Sequence, residues 1–201
     1  MIKSILSATV VLMATFTLNA TAAPIVYYTT LSGANAAPPN VSPGTGSATV
    51  IFDNSAHTLD LQMSFMNLLG NTTASHIHGP TTIPGIGTAA VMTQLPSFVG
   101  FPLGVTSGTY NNIFDLTSTS SYSPSFITAY GGTVAGAEAA LAASLAGGTA
   151  YLNIHTAMFP GGEIRGFLYT ESSSSVPEPS TLLLLSAGLG GLVLLRRKAR
   201  K

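Results

Sequence analysis

The chain has 201 residues, enough for one domain of ordinary size, and only 7% of them are charged against 46% hydrophobic. It contains no cysteine, which excludes disulfides, thiol catalysis and cysteine-ligated zinc or iron–sulfur sites. The net charge of zero hides a segregation. Lys3 and the closing Arg196, Arg197, Lys198, Arg200 and Lys201 leave Arg165 alone in the middle against Asp53, Asp60, Asp115, Glu138, Glu163 and Glu171, so nucleic acid, which requires a basic footprint, is not an expected partner.

The first 22 residues read as a secretory signal peptide. Lys3 supplies the positive start, residues 5–18 the apolar core, and Ala20-Thr21-Ala22 the small-x-small cleavage site. Cleavage is placed after Ala22, because one residue later Pro24 would adjoin the scissile bond; signal peptidase is thus an expected partner during export. The domain is expected over residues 23–170. Residues 25–31 are rich in β-formers, and 33–45 form a loop with Pro38, Pro39 and Pro43. Residues 47–52 and 57–65 read as a hairpin around Asp53-Asn54-Ser55. In its second arm Leu59, Leu61, Met63 and Phe65 alternate with polar residues. Residues 74–78 form a strand stopped by Gly79-Pro80, and 88–95 are a candidate strand. The stretch 96–125 receives no assignment beyond an ambiguous 109–114 and a polar loop after it. Residues 134–145 are the one expected helix, ended by Gly147-Gly148. Strands at 149–156 and 163–170 close the domain. Many short strands and one short helix predict an all-β, antiparallel Greek-key sandwich or barrel, immunoglobulin-like or superoxide-dismutase-like.

Residues 171–175 form a Ser-rich linker. Val176-Pro177-Glu178-Pro179 follows, then an apolar run expected as a transmembrane helix over 180–195, then the basic tail.

Candidate chemistry lies in two short stretches. On a strand, residues two apart share a face, so His76 and His78 project together, as do Tyr151, Asn153 and His155. If the two strands are neighbours, three imidazoles converge and offer a copper or zinc site. The alternative is structural: the imidazoles bond backbone carbonyls or Glu163, and Arg165 pairs with Glu163 or Asp115. His57 reads as an ordinary surface histidine. No Gly-x-Ser-x-Gly elbow, carboxylate pair or phosphate loop is present, so no catalytic residue is assigned and an enzyme is not expected.

Two resemblances follow from these residues. The segment 176–201, with Val176-Pro177-Glu178-Pro179, the apolar run and the basic tail, closely resembles the PEP-CTERM sorting signal of Gram-negative bacteria. The resemblance implies an inner-membrane-anchored precursor, recognition by an exosortase, cleavage near the motif, and release to the cell surface or matrix, commonly alongside biofilm polysaccharide. Ser47-Ala48-Thr49-Val50, Ala74-Ser75-His76-Ile77-His78-Gly79, Tyr151-Leu152-Asn153-Ile154-His155-Thr156 and Gly162-Glu163-Ile164-Arg165-Gly166 together resemble the chordin-type CHRD domain. That resemblance implies a β-sandwich or barrel in an extracellular setting and supplies no catalytic residues. A fainter likeness to copper/zinc superoxide dismutase, with its His-x-His strand and late Arg, lacks the zinc loop and the disulfide, so dismutase activity is not expected. The first reading is therefore an exported, non-enzymatic surface or matrix module that adheres to, or binds, a polysaccharide or protein. The second is a copper- or zinc-binding protein using His76, His78 and His155.

Overall fold

The computed structural model describes residues 22–171. The expected signal peptide up to residue 21, the linker after Glu171 and the sorting segment with its apolar span lie outside the described residues. The strands are Ile25–Ser32 (β1), Thr45–Asp53 (β2), Thr58–Met66 (β3), Thr72–His78 (β4), Gly108–Asp115 (β5), Tyr151–Thr156 (β6), Ile164–Phe167 (β7) and Tyr169–Thr170 (β8). The helices are Pro124–Ala129 (α1) and Val134–Ala146 (α2). The all-β antiparallel class is as expected. The strands form one curled sheet, a half-barrel, in the order β4-β6-β7-β1-β2-β3-β5, with β8 also paired to β1.

Alternation decides which face curls inward. Leu59, Leu61, Met63 and Phe65 of β3 are buried. Their β2 partners Phe52, Val50 and Ala48 are buried too. The β2–β3 turn is set by the Asp53 carboxylate, whose Oδ1 accepts from Ser55 N (2.8 Å) and Ala56 N (2.9 Å). The concave face closes over an aromatic cluster in which Phe98 lies 5.4 Å from Phe114 and Phe101 lies 5.6 Å from Phe65, centroid to centroid. Phe98 and Phe101 belong to the connection before β5, which also covers the outer edge of β4: Phe98 N donates to Ser75 O, Gly104 N to Thr72 O and Thr72 N to Val105 O. Thr133 caps α2 by accepting from Gly136 N, and Ala137, Leu141 and Leu145 pack the helix on the core.

Three expectations change. A second helix, α1, starts at Pro124 behind a Ser123 cap, a signal hidden inside a polar stretch. Residues 88–95 make only isolated bridges, Val91 to His78 and Thr93 to Tyr122. The amides of Met92 and Thr93 converge on the single carbonyl of Ile77, so no ladder can continue there. The last strand breaks at Leu168, whose amide donates to Ala150 O, leaving β7 on β6 and β8 on β1. His57 is exposed in the β2–β3 turn, as expected; it has a left-handed backbone (φ 54°) and its Nδ1 lies 2.9 Å from Glu138 Oε1, the only contact between a basic and an acidic side chain among the described residues.

β7 can approach β1 only at a glycine. A Cβ on Gly166 would lie 2.2 Å from both Thr30 O and Thr29 Oγ1, whereas one on Gly161 would meet nothing within 4 Å. Gly166→Ala is therefore expected to cost about 2–4 kcal/mol in urea unfolding, and Gly161→Ala to stay within about 0.5 kcal/mol of the parent.

Candidate metal centre

The register of β4 on β6 brings the histidines together. His76 faces Asn153, His78 faces Tyr151 and Ala74 faces His155, so the three imidazoles share one face of adjacent strands. Their ring centroids form a near-equilateral triangle: 5.7 Å for His76–His78, 5.3 Å for His76–His155 and 5.7 Å for His78–His155. One ring nitrogen of each lies within 4.8 Å of the others.

The backbone fixes which nitrogen of each ring carries the proton. A carbonyl oxygen can only accept, so the ring nitrogen facing it must carry the proton. His76 Nε2 donates to Pro96 O (2.8 Å), His78 Nδ1 to Ala89 O (3.0 Å) and His155 Nδ1 to Pro160 O (2.8 Å). The opposite nitrogens, His76 Nδ1, His78 Nε2 and His155 Nε2, are left with lone pairs. Two of them, His76 Nδ1 and His78 Nε2, are buried without any partner, and His155 Nε2 has only the Asn153 amide nitrogen at 3.4 Å. An unsatisfied buried acceptor costs about 1–3 kcal/mol. Two such acceptors stand in one cluster. Carbonyls that orient imidazoles from behind are the usual outer support of a metal centre.

The electrostatics agree. Burial pushes His78 down to about 4 against the opposing bond to Ala89, with His155, His76 and Arg165 adding to the fall. Burial also lowers His76 and His155. All three rings are thus neutral near pH 7 and available as ligands. The cluster holds no carboxylate, which leaves further coordination positions to water or an outside ligand.

The expected Glu163–Arg165 pair does not form, and no imidazole bonds Glu163. The Glu163 carboxylate is fully buried and already filled: Ser42 Oγ (2.5 Å) and Leu69 N (2.6 Å) donate to Oε1, Thr156 Oγ1 (2.7 Å) and Gly70 N (3.1 Å) to Oε2. Burial pushes its pKa up, but these donors outweigh it and hold the carboxyl below its usual value. Arg165 instead lays its guanidinium 4.4 Å over the Tyr151 ring and 5.1 Å over Phe167, and Nη1 donates to Gly87 O (3.0 Å). Tyr151 stacks on His78 with its other neighbour (4.9 Å, 7°) and both gives and takes a hydrogen bond with Ala89. Sequence reasoning missed Asn153, Tyr151 and the three carbonyl pins. Only the period-2 spacing of Tyr151 and Asn153 with His155 hinted at the first two. Ala22 is exposed at the start of the described residues, and Val176, Pro177, Glu178 and Pro179 lie beyond them.

Residues 27–168 match the model of the CHRD domain. Residues 175–199 match that of the PEP-CTERM protein-sorting motif, which marks a protein exported and processed by an exosortase, as is typical of Gram-negative bacteria. Comparison with curated proteins and with solved structures gives no match. Among the described residues no helix is long and apolar enough to cross a membrane.

The metal-free protein should lose stability in acid in two stages. His78 is neutral when folded and charged when unfolded below pH ~6.5, so the unfolded state binds more protons between about 6.5 and 4. Stability therefore falls as pH drops through that window, by on the order of 3 kcal/mol from His78 alone. Glu163 adds a second loss below its ordinary value near 4.5, since its folded pKa is depressed. Urea unfolding in EDTA at stepped pH should show both stages; His78→Asn should flatten the upper one and Glu163→Gln the lower. Glu163→Gln should also cost about 2–4 kcal/mol at pH 7, because an amide nitrogen would face donors.

Proposed function

We propose that this chain, which belongs to the CHRD-domain family and carries an exosortase sorting motif, works outside the cell as a transition-metal-binding module. Copper or zinc would be held by His76 Nδ1, His78 Nε2 and His155 Nε2. The observation that carries this reading is the set of three imidazoles with their N–H groups given to backbone carbonyls and one nitrogen of each within 4.8 Å of the others, two lone pairs being buried without a partner. Three neutral imidazoles suit both ions, and copper(II) is favoured in intrinsic affinity. The reading is of binding alone and assigns no catalytic residue. Adhesion at the cell surface or in the matrix is the second reading. It draws on the part of the same sheet face that lies over β1 and β2, beyond the three imidazoles.

The test is calorimetric titration of the exported protein with copper(II) and zinc(II), paired with thermal melts. One ion per chain with submicromolar affinity is expected, and saturation at about a hundred times Kd should stabilise the fold by about 2.7 kcal/mol. His155 is the most exposed of the three rings, so His155→Ala should keep the fold and weaken binding about a hundredfold. No heat and no melting shift with either ion would make the imidazoles purely structural.

A further inference from the structure

On the same sheet face, beyond Tyr151 and Arg165, lies an open groove of about 790 Å³. Its floor is the outward side of β1 and β2, where register sets Thr30 opposite Ser47 and Tyr28 opposite Thr49. Its wall is Phe167, Tyr169 and the loop at Gly85–Gly87. Tyr28 is 40% exposed and Tyr169 48%, so two phenol rings stand open to solvent beside a bank of hydroxyls. No acidic residue lines the groove.

Arg165 lines it as well, and it is the only Lys or Arg among the described residues. The side chain is 6% exposed, spends Nη1 on a backbone carbonyl, and has a buried Nε with no acceptor. A buried guanidinium donor without an acceptor is costly, more so than a neutral group. Among the described residues all the carboxylates lie elsewhere; Glu163, its near neighbour in sequence, is filled by four other donors. The guanidinium therefore keeps its charge without a carboxylate partner among the described residues.

We propose that this groove binds a glycan strand bearing a carboxylate, with Arg165 taking the carboxylate, the rings of Tyr28 and Tyr169 stacking on sugar faces, and Thr30, Ser47 and Thr49 bonding its hydroxyls. A planar guanidinium matches a carboxylate better than any other single side chain. Flat rings between hydroxyl donors suit a molecule that is apolar on its faces and polar at its rim. An acidic peptide would share the carboxylate but would leave the hydroxyl bank unused. The surrounding charge is net −5 over residues 22–171 with histidines neutral. It is screened beyond about 8 Å at physiological salt, so one carboxylate at the guanidinium is tolerated.

The experiment is titration of the exported protein with tetragalacturonate in EDTA, with neutral cellotetraose and a glutamate tetrapeptide as further arms. Tetragalacturonate should bind, the other two at least about tenfold more weakly. Arg165→Gln should weaken binding about tenfold or more. Because that side chain is buried, the second variant is Thr30→Glu on the exposed face, which sets a rival carboxylate beside the guanidinium and should do the same while melting like the parent. His155→Ala should leave glycan binding unchanged, so this proposal and the metal reading fail separately. Absence of tetragalacturonate binding, equal binding of cellotetraose, preference for the peptide, or indifference to Thr30→Glu would each overturn it.

Discussion

The buried carboxylate of Glu163 is the point on which the histidine face depends. It draws donors from the segment before β2, from the turn before β4 and from the end of β6. Its own amide donates to Ile154 O and its carbonyl accepts from Asn40 Nδ2. A charge kept out of water must be satisfied on all sides, and here neutral donors do so. They thereby fix the 157–163 hairpin, and that hairpin carries the Pro160 carbonyl that holds His155. Remove the anion and the third imidazole loses its bearing.

Much of this was legible in the residues. The alternation of Leu59, Leu61, Met63 and Phe65 announced β3 and its inward face, and the period-2 placement of His76 with His78 and of Asn153 with His155 announced a shared surface. What escaped were partners separated by long stretches of chain. Nothing local says that Pro96, Ala89 and Pro160 supply the carbonyls, because loops meet strands by tertiary packing. The Glu163–Arg165 pairing failed for a related reason. Closeness in sequence and opposite charge suggested it, yet four neutral donors fill Glu163 while Arg165 lies over two aromatic faces, away from it.

From sequence, metal ligation and backbone anchoring stand as rival fates for the histidines. In the fold the backbone anchoring is present and leaves the second nitrogen of each ring over. An imidazole has two nitrogens, and giving one to a carbonyl settles where the other points. The same economy shows at Tyr151, which stacks on His78 with one face while Arg165 covers its ring, so the histidine centre and the groove share a wall without sharing a ligand.

The solitary contact between His57 and Glu138 has a consequence for where such a protein can operate. Among the described residues almost nothing in the fold relies on attraction between opposite charges. Cohesion comes from buried apolar area and from hydrogen bonds to neutral donors, and mobile ions screen neither. Once outside the cell the domain meets water whose salinity the cell does not regulate. A structure built this way passes from dilute to brackish surroundings with its architecture indifferent to the change.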